Sequence, residues 1–441
     1  MKIEVEVISQ EIIKPSSPTP HHLRHHQLSF LDQLAPHAYI PLIYYYSLTS
    51  TQDHTHISNH LKKSLSKILT QYYPLAGRVK VNLFVDCNDL GIPFYEARVP
   101  SHTLSDVITN PSLAELNNLL PFKLDQVTDI ALGVQLNLFR CGGIAIGLCV
   151  SHRIADGFSS FTFLKNWAST ASGNACMNPD FSAASIFPPR NMEGYNGVPI
   201  PKRNDIVTRR FVFDGSKIEA LRANYAQSIR LNTQKRPSRV EALSSFLWNL
   251  FMAGSAAKEE DDESSRRRLY SVVYIMDLRS RFDPPLPQNS FGNYYRAATS
   301  TPTLVSGEEC GGLVRQVIGE IQKIDNNYMR KFQDGYREHL DFMKKRMERA
   351  ARGELVTLSF SSVCRFPTYE VDFGWGKPAW VSMASMRINN QIVFMDTKTG
   401  DGMESYFSFK EEDMAKFELD SEFLALISPI GNVKSNPFAR L

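Results

Sequence analysis

The stretch Gly143-Ile144-Ala145-Ile146-Gly147-Leu148-Cys149-Val150-Ser151-His152-Arg153-Ile154-Ala155-Asp156-Gly157 decides how this chain is read. Its first eight residues form one apolar run, the pattern of a strand buried on both faces. His152 stands at the end of that strand. A neutral imidazole there is a candidate general base, because an ordinary pKa of about 6.5 keeps the unprotonated form populated near neutral pH. Asp156, four residues on, can hold the local turn, and Gly157 frees the backbone. Residues 158–170 have helical spacing and read as a helix packed behind the strand. His-x-x-x-Asp alone is a weak signal that fits a packed or capping histidine better than a base, so its meaning depends on the rest of the chain.

On the N-terminal side, Cys141-Gly142-Gly143 reads as a hairpin turn and Asn88-Asp89-Leu90-Gly91 as another. Residues 3–13 alternate like a strand and stop at Lys14-Pro15-Ser16-Ser17-Pro18-Thr19-Pro20. Residues 38–48, rich in Ile and Tyr, read as a strand. Residues 56–72 read as a helix through Ile57, Leu61, Leu65, Ile68 and Leu69, ending before Pro74. On the C-terminal side, residues 173–206 carry five prolines with several Asn and Gly and read as a crossover between domains. A strand over 207–213, helices over 215–226 and 238–254, a charged surface loop from Lys258 to Arg268 and a strand over 269–277 follow. A helical region over 308–350, three more strands and a closing helix over 411–427 complete the chain. Strands and helices alternate without a regular β-α-β order, which predicts an α/β protein with mixed sheets.

With 441 residues, the chain exceeds the roughly 250–300 at which single cores divide, so two domains are expected. Apolar residues make up 43%, enough for a large core, and a net charge of +3 gives no nucleic-acid footprint. None of the six cysteines stands in a C-x-x-C pair, which suggests free thiols in a reducing compartment. The opening Met1-Lys2-Ile3-Glu4-Val5-Glu6-Val7 carries acids where a signal peptide needs an apolar stretch, and no run reaches membrane-span length. A cytoplasmic location is expected. Ala439-Arg440-Leu441 loosely resembles a peroxisomal address.

Other constellations matter less. His21, His22, His25 and His26 lie among prolines without nearby carboxylates and read as a polar surface stretch. His-Glu-x-x-His, Gly-x-Ser-x-Gly, the P-loop and Gly-x-Gly-x-x-Gly are all missing, so zincin, serine-hydrolase, nucleotide-driven and Rossmann readings find no support. In Asp277-Leu278-Arg279, the arginine at a strand end can grip a carboxylate with two donors. It is followed by Ser290-Phe291-Gly292-Asn293. Asp372-Phe373-Gly374-Trp375-Gly376-Lys377-Pro378 reads as a tight structural bend, with two glycines around a tryptophan.

Taken in this order, the His152, Arg279 and Asp372 motifs resemble the BAHD acyl-CoA-dependent acyltransferases of plants. That family carries His-x-x-x-Asp near one third of its length and Asp-Phe-Gly-Trp-Gly near its C-terminus. Tyr73-Pro74-Leu75-Ala76-Gly77-Arg78, Val85-Asp86-Cys87 and Ser238-Arg239-Val240-Glu241-Ala242 look like it too. Ile12 to Pro20, Leu28-Ser29-Phe30-Leu31-Asp32-Gln33 and Glu411 to Leu419 are similar to its alkaloid-acetylating branch. The resemblance implies two domains, each a mixed β-sheet flanked by helices (chloramphenicol acetyltransferase-like), with a solvent channel at the interface. The first covers residues 1–190 and is joined by a crossing segment at 362–388. The second covers 207–441 and is the main CoA-binding half.

It further implies His152 as general base, with Asp156 turned away from the channel and paired with Arg279. Acyl-CoA, acetyl-CoA above all, is the expected co-substrate, and no permanent cofactor or metal is implied. The partner is a small alcohol such as an alkaloid, taken by a monomeric enzyme without nucleic acid or membrane. Ser361 and Ser362 are oxyanion candidates. Lys235, Ser238 and Arg239 are candidate CoA contacts. Ile40, Leu42, Tyr44 and Val363 are candidate acceptor-pocket residues, Val363 standing where the family usually has tryptophan. Asp372, Gly374, Trp375 and Gly376 form the structural loop. The motifs do not separate alcohol from amine acceptors, or acetyl from malonyl or aromatic donors on terpenoid or phenolic acceptors. A non-catalytic binding protein on the same scaffold is disfavoured by the intact His152, Asp156 and Arg279.

Overall fold

The computed structural model describes residues 2–48, 53–80, 82–192, 205–228, 236–259, 268–300, 316, 319–334, 336–386 and 388–428. Its strands, in chain order, begin with β1 (Glu6–Ile13), β2 (His25–Gln27), β3 (Tyr39–Tyr46), β4 (Arg78–Lys80) and β5 (Phe84–Asp86). Then come β6 (Ile92–Val99), β7 (Leu132–Phe139), β8 (Ile144–Ser151), β9 (Ile206–Phe213) and β10 (Leu269–Asp277). The last are β11 (Tyr295–Ser300), β12 (Leu355–Ser362), β13 (Trp380–Ser382), β14 (Gln391–Asp396) and β15 (Met403–Lys410).

The chain divides into two compact units. The first consists of Met1–Lys202, Leu286–Tyr294 and Arg365–Met386. The second consists of Arg203–Pro285, Tyr295–Cys364 and Arg387–Leu441. Each holds a six-stranded sheet, ordered β1-β6-β7-β8-β3-β13 in the first and β11-β10-β12-β14-β15-β9 in the second. Both sheets are mixed: β6–β7, β10–β12 and β12–β14 run parallel and the other pairs antiparallel.

In the first unit, β8 lies between β7 and β3, and all eight of its residues are buried. That placement explains an apolar run with no alternation. The helix His54–Gln71 starts on Asp53, whose carboxylate accepts from Thr55 N, and buries Ile57, Leu61, Leu65, Ile68 and Leu69 along one stripe. It packs on the helix Gly157–Ala171, which buries Phe161, Leu164 and Trp167. The buried Trp167 indole donates to Ser64 Oγ at 3.0 Å, so the contact leaves no orphan N–H there. In the second unit, Phe211 and Phe213 of β9, Phe407 of β15 and Phe423 meet edge-to-face or stacked within 5.0–6.3 Å.

The turn at 141–143 does join a hairpin, β7 to β8. The turn at 88–91 does not: β5 pairs with β2 and β4 in a small three-stranded sheet, whereas β6 pairs with β1 and β7. Local turn chemistry is real there, but the strands on either side find different partners. The helical region read over 308–350 is helical at 319–322 and holds the helices Asn326–Asp334 and Tyr336–Ala351; 308–315, 317 and 318 lie outside the described residues. The closing helix is likewise two short ones, Glu411–Leu419 and Ser421–Leu426. Among the described residues four strands follow 350, not three. Cys87, Cys141, Cys149, Cys176 and Cys364 are free thiols. Among the described residues no helix is long and apolar enough to cross a membrane. The C-terminal Ala439-Arg440-Leu441 lies outside the described residues.

Candidate active site

β8 delivers His152 from a fixed backbone. Ser151 N donates to Ala131 O at 2.8 Å and His152 N to Ala38 O at 2.9 Å, so the strand end is tied on both sides. Ile154 N and Ala155 N then return to Ser151 O, closing a turn. Asp156 is extended, with φ −83° and ψ −178°, and caps the helix Gly157–Ala171 through Oδ1, which accepts from Ser159 N at 2.8 Å.

The short return segment Leu286–Tyr294 completes this corner of the first unit. Asp156 Oδ2 accepts from Tyr294 N at 2.9 Å, and Asp156 N donates to Gly292 O at 3.3 Å. Ser159 Oγ donates to Gly292 O at 2.8 Å and lies 3.1 Å from Gly292 N. Gly292 has φ +142°, a conformation that L side chains rarely adopt, and the turn there aims the next residue, Asn293, at His152. Asn293 Oδ1 lies 3.1 Å from His152 Nδ1, and Asn293 Nδ2 donates to His152 O at 2.8 Å. Asn293 N and Nδ2 both donate to Asp32 Oδ1, at 2.9 and 2.8 Å.

Electrostatics follow from this enclosure. Burial holds the His152 pKa below its ordinary value, against the opposing pull of its own carbonyl, Asp156 and Asn293. Burial also pushes Asp32 up to about 6, although Ser29 and Asn293 supply hydrogen bonds that favour its ionised form. At neutral pH Asp32 is therefore an acceptor, and His152 is uncharged.

The other sequence-derived candidates occupy distinct places. Arg279 lies in the second unit, is buried, and contacts Asp277 Oδ1 at 2.7 Å. Ser361 and Ser362 end β12, paired with Val393 and Phe394 of β14. Ser362 Oγ accepts from Cys364 N at 3.3 Å, and Val363 N donates to Phe394 O at 2.9 Å. Ser238 caps the helix Arg239–Glu259: Glu241 N donates to Ser238 Oγ and Ser238 N to Glu241 Oε2. The Arg239 guanidinium is held by Asp396 Oδ1 at 2.7 Å and Gly400 O at 3.0 Å. Lys235 lies outside the described residues. Ile40, Leu42 and Tyr44 share one face of β3 and are buried. The Tyr44 hydroxyl is a buried donor with no hydrogen-bond partner among the described residues.

The Asp372 loop sits at the far end of β3. Tyr39, at the near end, pairs with Ser151, whereas Tyr46 OH donates to Val371 O at 3.0 Å and its ring meets Phe373 and Trp375. Seven strand steps separate the two ends, about 20 Å. Asp372 Oδ1 accepts from Gly374 N and Gly376 N, both at 2.9 Å, and both glycines have φ near +100° (105° and 103°). His60 Nε2 donates to Phe373 O at 3.2 Å, and Phe373 stands edge-on to Trp167 at 4.9 Å. Asp372→Ala unties two backbone N–H groups, so we expect a loss of about 1–3 kcal/mol in stability. Kinetic constants of the folded protein should stay unchanged; a change in KM without a shift in melting would refute the structural assignment.

Asn293 and Asp32 are the site residues that sequence reasoning passed over. Asn293 was visible only as the end of Ser290-Phe291-Gly292-Asn293. Ser29-x-x-Asp32 carries a capping-box signature, and that cap is present, with Ser29 and Asp32 bonded reciprocally. Nothing local announces that Asp32 has a second use. His25 and His26 stand beside aromatic rings, and burial pushes His26 down to about 4, so that stretch is not wholly at the surface. Among the described residues no group of three or more His, Cys, Asp or Glu is placed to hold a metal ion.

Comparison with known proteins adds a family. A model described as the transferase family matches residues 3–424. Stemmadenine O-acetyltransferase of Catharanthus roseus is 39% identical, over 97% of this chain and 99% of its own. Limonoid 21-O-acetyltransferase of Melia azedarach is 37% identical over the same shares of each chain. The crystal structure of vinorine synthase superposes with a TM-score of 0.82 at 36% identity, covering 96% of this chain and 99% of that one. The two-unit α/β architecture of mixed sheets is thus also that of a solved plant enzyme.

Proposed function

The chain belongs to the BAHD acyltransferase family, and from that premise we propose that it moves an acetyl group from acetyl-CoA to a hydroxyl of an alkaloid. The observation that carries the chemistry is His152: an uncharged imidazole at the rigid end of β8, with a lowered pKa. Its Nε2 takes the proton of the acceptor hydroxyl as the oxygen attacks the thioester carbonyl. The tetrahedral oxyanion collapses, the C–S bond breaks, and the imidazolium returns its proton to the CoA sulfur. No acyl-enzyme forms, because both substrates are held together for direct transfer. The alkaloid acceptor is supported by the relative named for stemmadenine. A terpenoid alcohol is the second reading, supported by the relative named for a limonoid.

The test is to incubate the purified protein with acetyl-CoA and a panel of alkaloid and terpenoid alcohols, and to read acetylated products by mass spectrometry. Transfer to neither class, with free CoA released only at the uncatalysed rate, refutes the reading.

The pKa of His152 also fixes the pH dependence. The base must be uncharged, so the rate falls as pH drops through its folded value, which burial places below 6.5. The acid limb of the kcat/KM profile is therefore expected below pH 6.5; a limb at or above that value contradicts it.

A further inference from the structure

Asp32 divides its carboxylate between two tasks. Oδ2 serves the cap of the helix Phe30–Leu34, accepting from Ser29 N at 2.8 Å and Ser29 Oγ at 2.6 Å. Oδ1 plays no part in those bonds and takes two donors from Asn293, more than two hundred and fifty residues away in sequence. Both residues are buried, Asp32 to 2% exposure and Asn293 to 0%.

The polarity of this chain of bonds can be followed atom by atom. Asn293 Nδ2 lies 2.8 Å from Asp32 Oδ1 and 2.8 Å from the His152 carbonyl oxygen. Both neighbours are acceptors, so only the NH₂ end of the amide can face them. The amide oxygen must then face His152 Nδ1, 3.1 Å away. An amide oxygen cannot donate, so Nδ1 carries the hydrogen and Nε2 carries the lone pair. Without Asp32, one acceptor alone would hold the amide. A turned amide would present NH₂ to Nδ1 and favour the opposite tautomer, whose Nε2–H cannot accept a proton.

We propose that Asp32, acting through Asn293, is a positioning residue that holds His152 in the Nδ1–H tautomer and so keeps Nε2 as the base. The proposal deepens the acetyl-transfer reading and rests on it for its kinetic consequence. Through the cycle, Nδ1–H keeps its bond to Asn293 Oδ1. Nε2 gains the hydroxyl proton and loses it to the thiolate, which restores the starting tautomer.

The experiment labels histidine with ¹⁵N and records two-bond ¹⁵N–¹H correlations on the full chain without substrate. The His152 signals are identified by their loss in His152→Gln. Wild type is expected as Nδ1–H. In Asn293→Ala and in Asp32→Ala, an Nε2–H population is expected to appear, with kcat down about tenfold or more and KM for acetyl-CoA unchanged. A wild-type His152 in the Nε2–H form overturns the proposal. So does an unchanged tautomer in either variant whose near-UV circular dichroism matches wild type. If Asp32→Ala fails to fold, wild type and Asn293→Ala still decide. The tautomer is read with no substrate present, so a correct tautomer with no acetyl transfer sinks only the functional reading. Acetyl transfer with the wrong tautomer sinks only this one.

Discussion

Replacing His152 with alanine is expected to lower kcat by about 10²–10⁴-fold, the usual worth of a positioned general base. The fold should survive the change. What fixes residue 152 is backbone, His152 N to Ala38 O, and that bond does not need the imidazole. The buried groups beyond it, Asn293 and Asp32, keep the bonds they make with each other. The comparison to make is single-turnover acetyl transfer in wild type and variant, beside thermal melts of both. Turnover within about tenfold of wild type, or a collapsed melt, removes His152 from the chemistry we assign to it.

The largest effect on stability is expected at Asp156. Its two carboxylate oxygens satisfy two buried N–H groups, Ser159 N at a helix start and Tyr294 N on the return segment. Alanine removes a helix cap, at a cost of about 1 kcal/mol, and strands the Tyr294 N–H, at about 1–3 kcal/mol. The sum, about 2–4 kcal/mol, corresponds to roughly 5–15 °C in the melting of a unit this size. Asp156→Asn should fall between, since asparagine still caps a helix but one oxygen has become a donor facing a donor. Activity should fall with stability, because the segment that loosens carries Asn293. Calorimetry of the two variants decides it. A melting shift under about 2 °C in Asp156→Ala shows that the two bonds contribute little.

Much of this was readable in advance where the signal was local. The run Ile144–Val150 gave a central strand because a strand covered on both faces has no polar alternation to hide. Gly142-Gly143 gave its hairpin because two glycines fit a tight turn. The stripe Ile57-Leu61-Leu65-Ile68 gave a helix because its period is helical. The failures came where partners are distant. The glycine turn at 91 looks the same whether its two strands pair with each other or with β4 and β1. Asn293 reaches His152 across 141 residues, and Asp32 reaches Asn293 across 261. No periodicity encodes such distances. His152 and the Asp372 bend stand out in the residues themselves and family resemblance gave them their roles, but the residues that orient the imidazole emerge only when the return segment is in place.

That return segment also sets an order of manufacture. The first unit is written in three pieces, and the last, Arg365–Met386, supplies β13, the neighbour that covers β3. A ribosome therefore releases nearly nine tenths of the chain before this unit can close. Until then β3 has an open edge, and His152 has no amide beside it until Leu286–Tyr294 has emerged. The unit cannot be cut out at Lys202 as an independent module, nor exchanged between relatives as a single cassette.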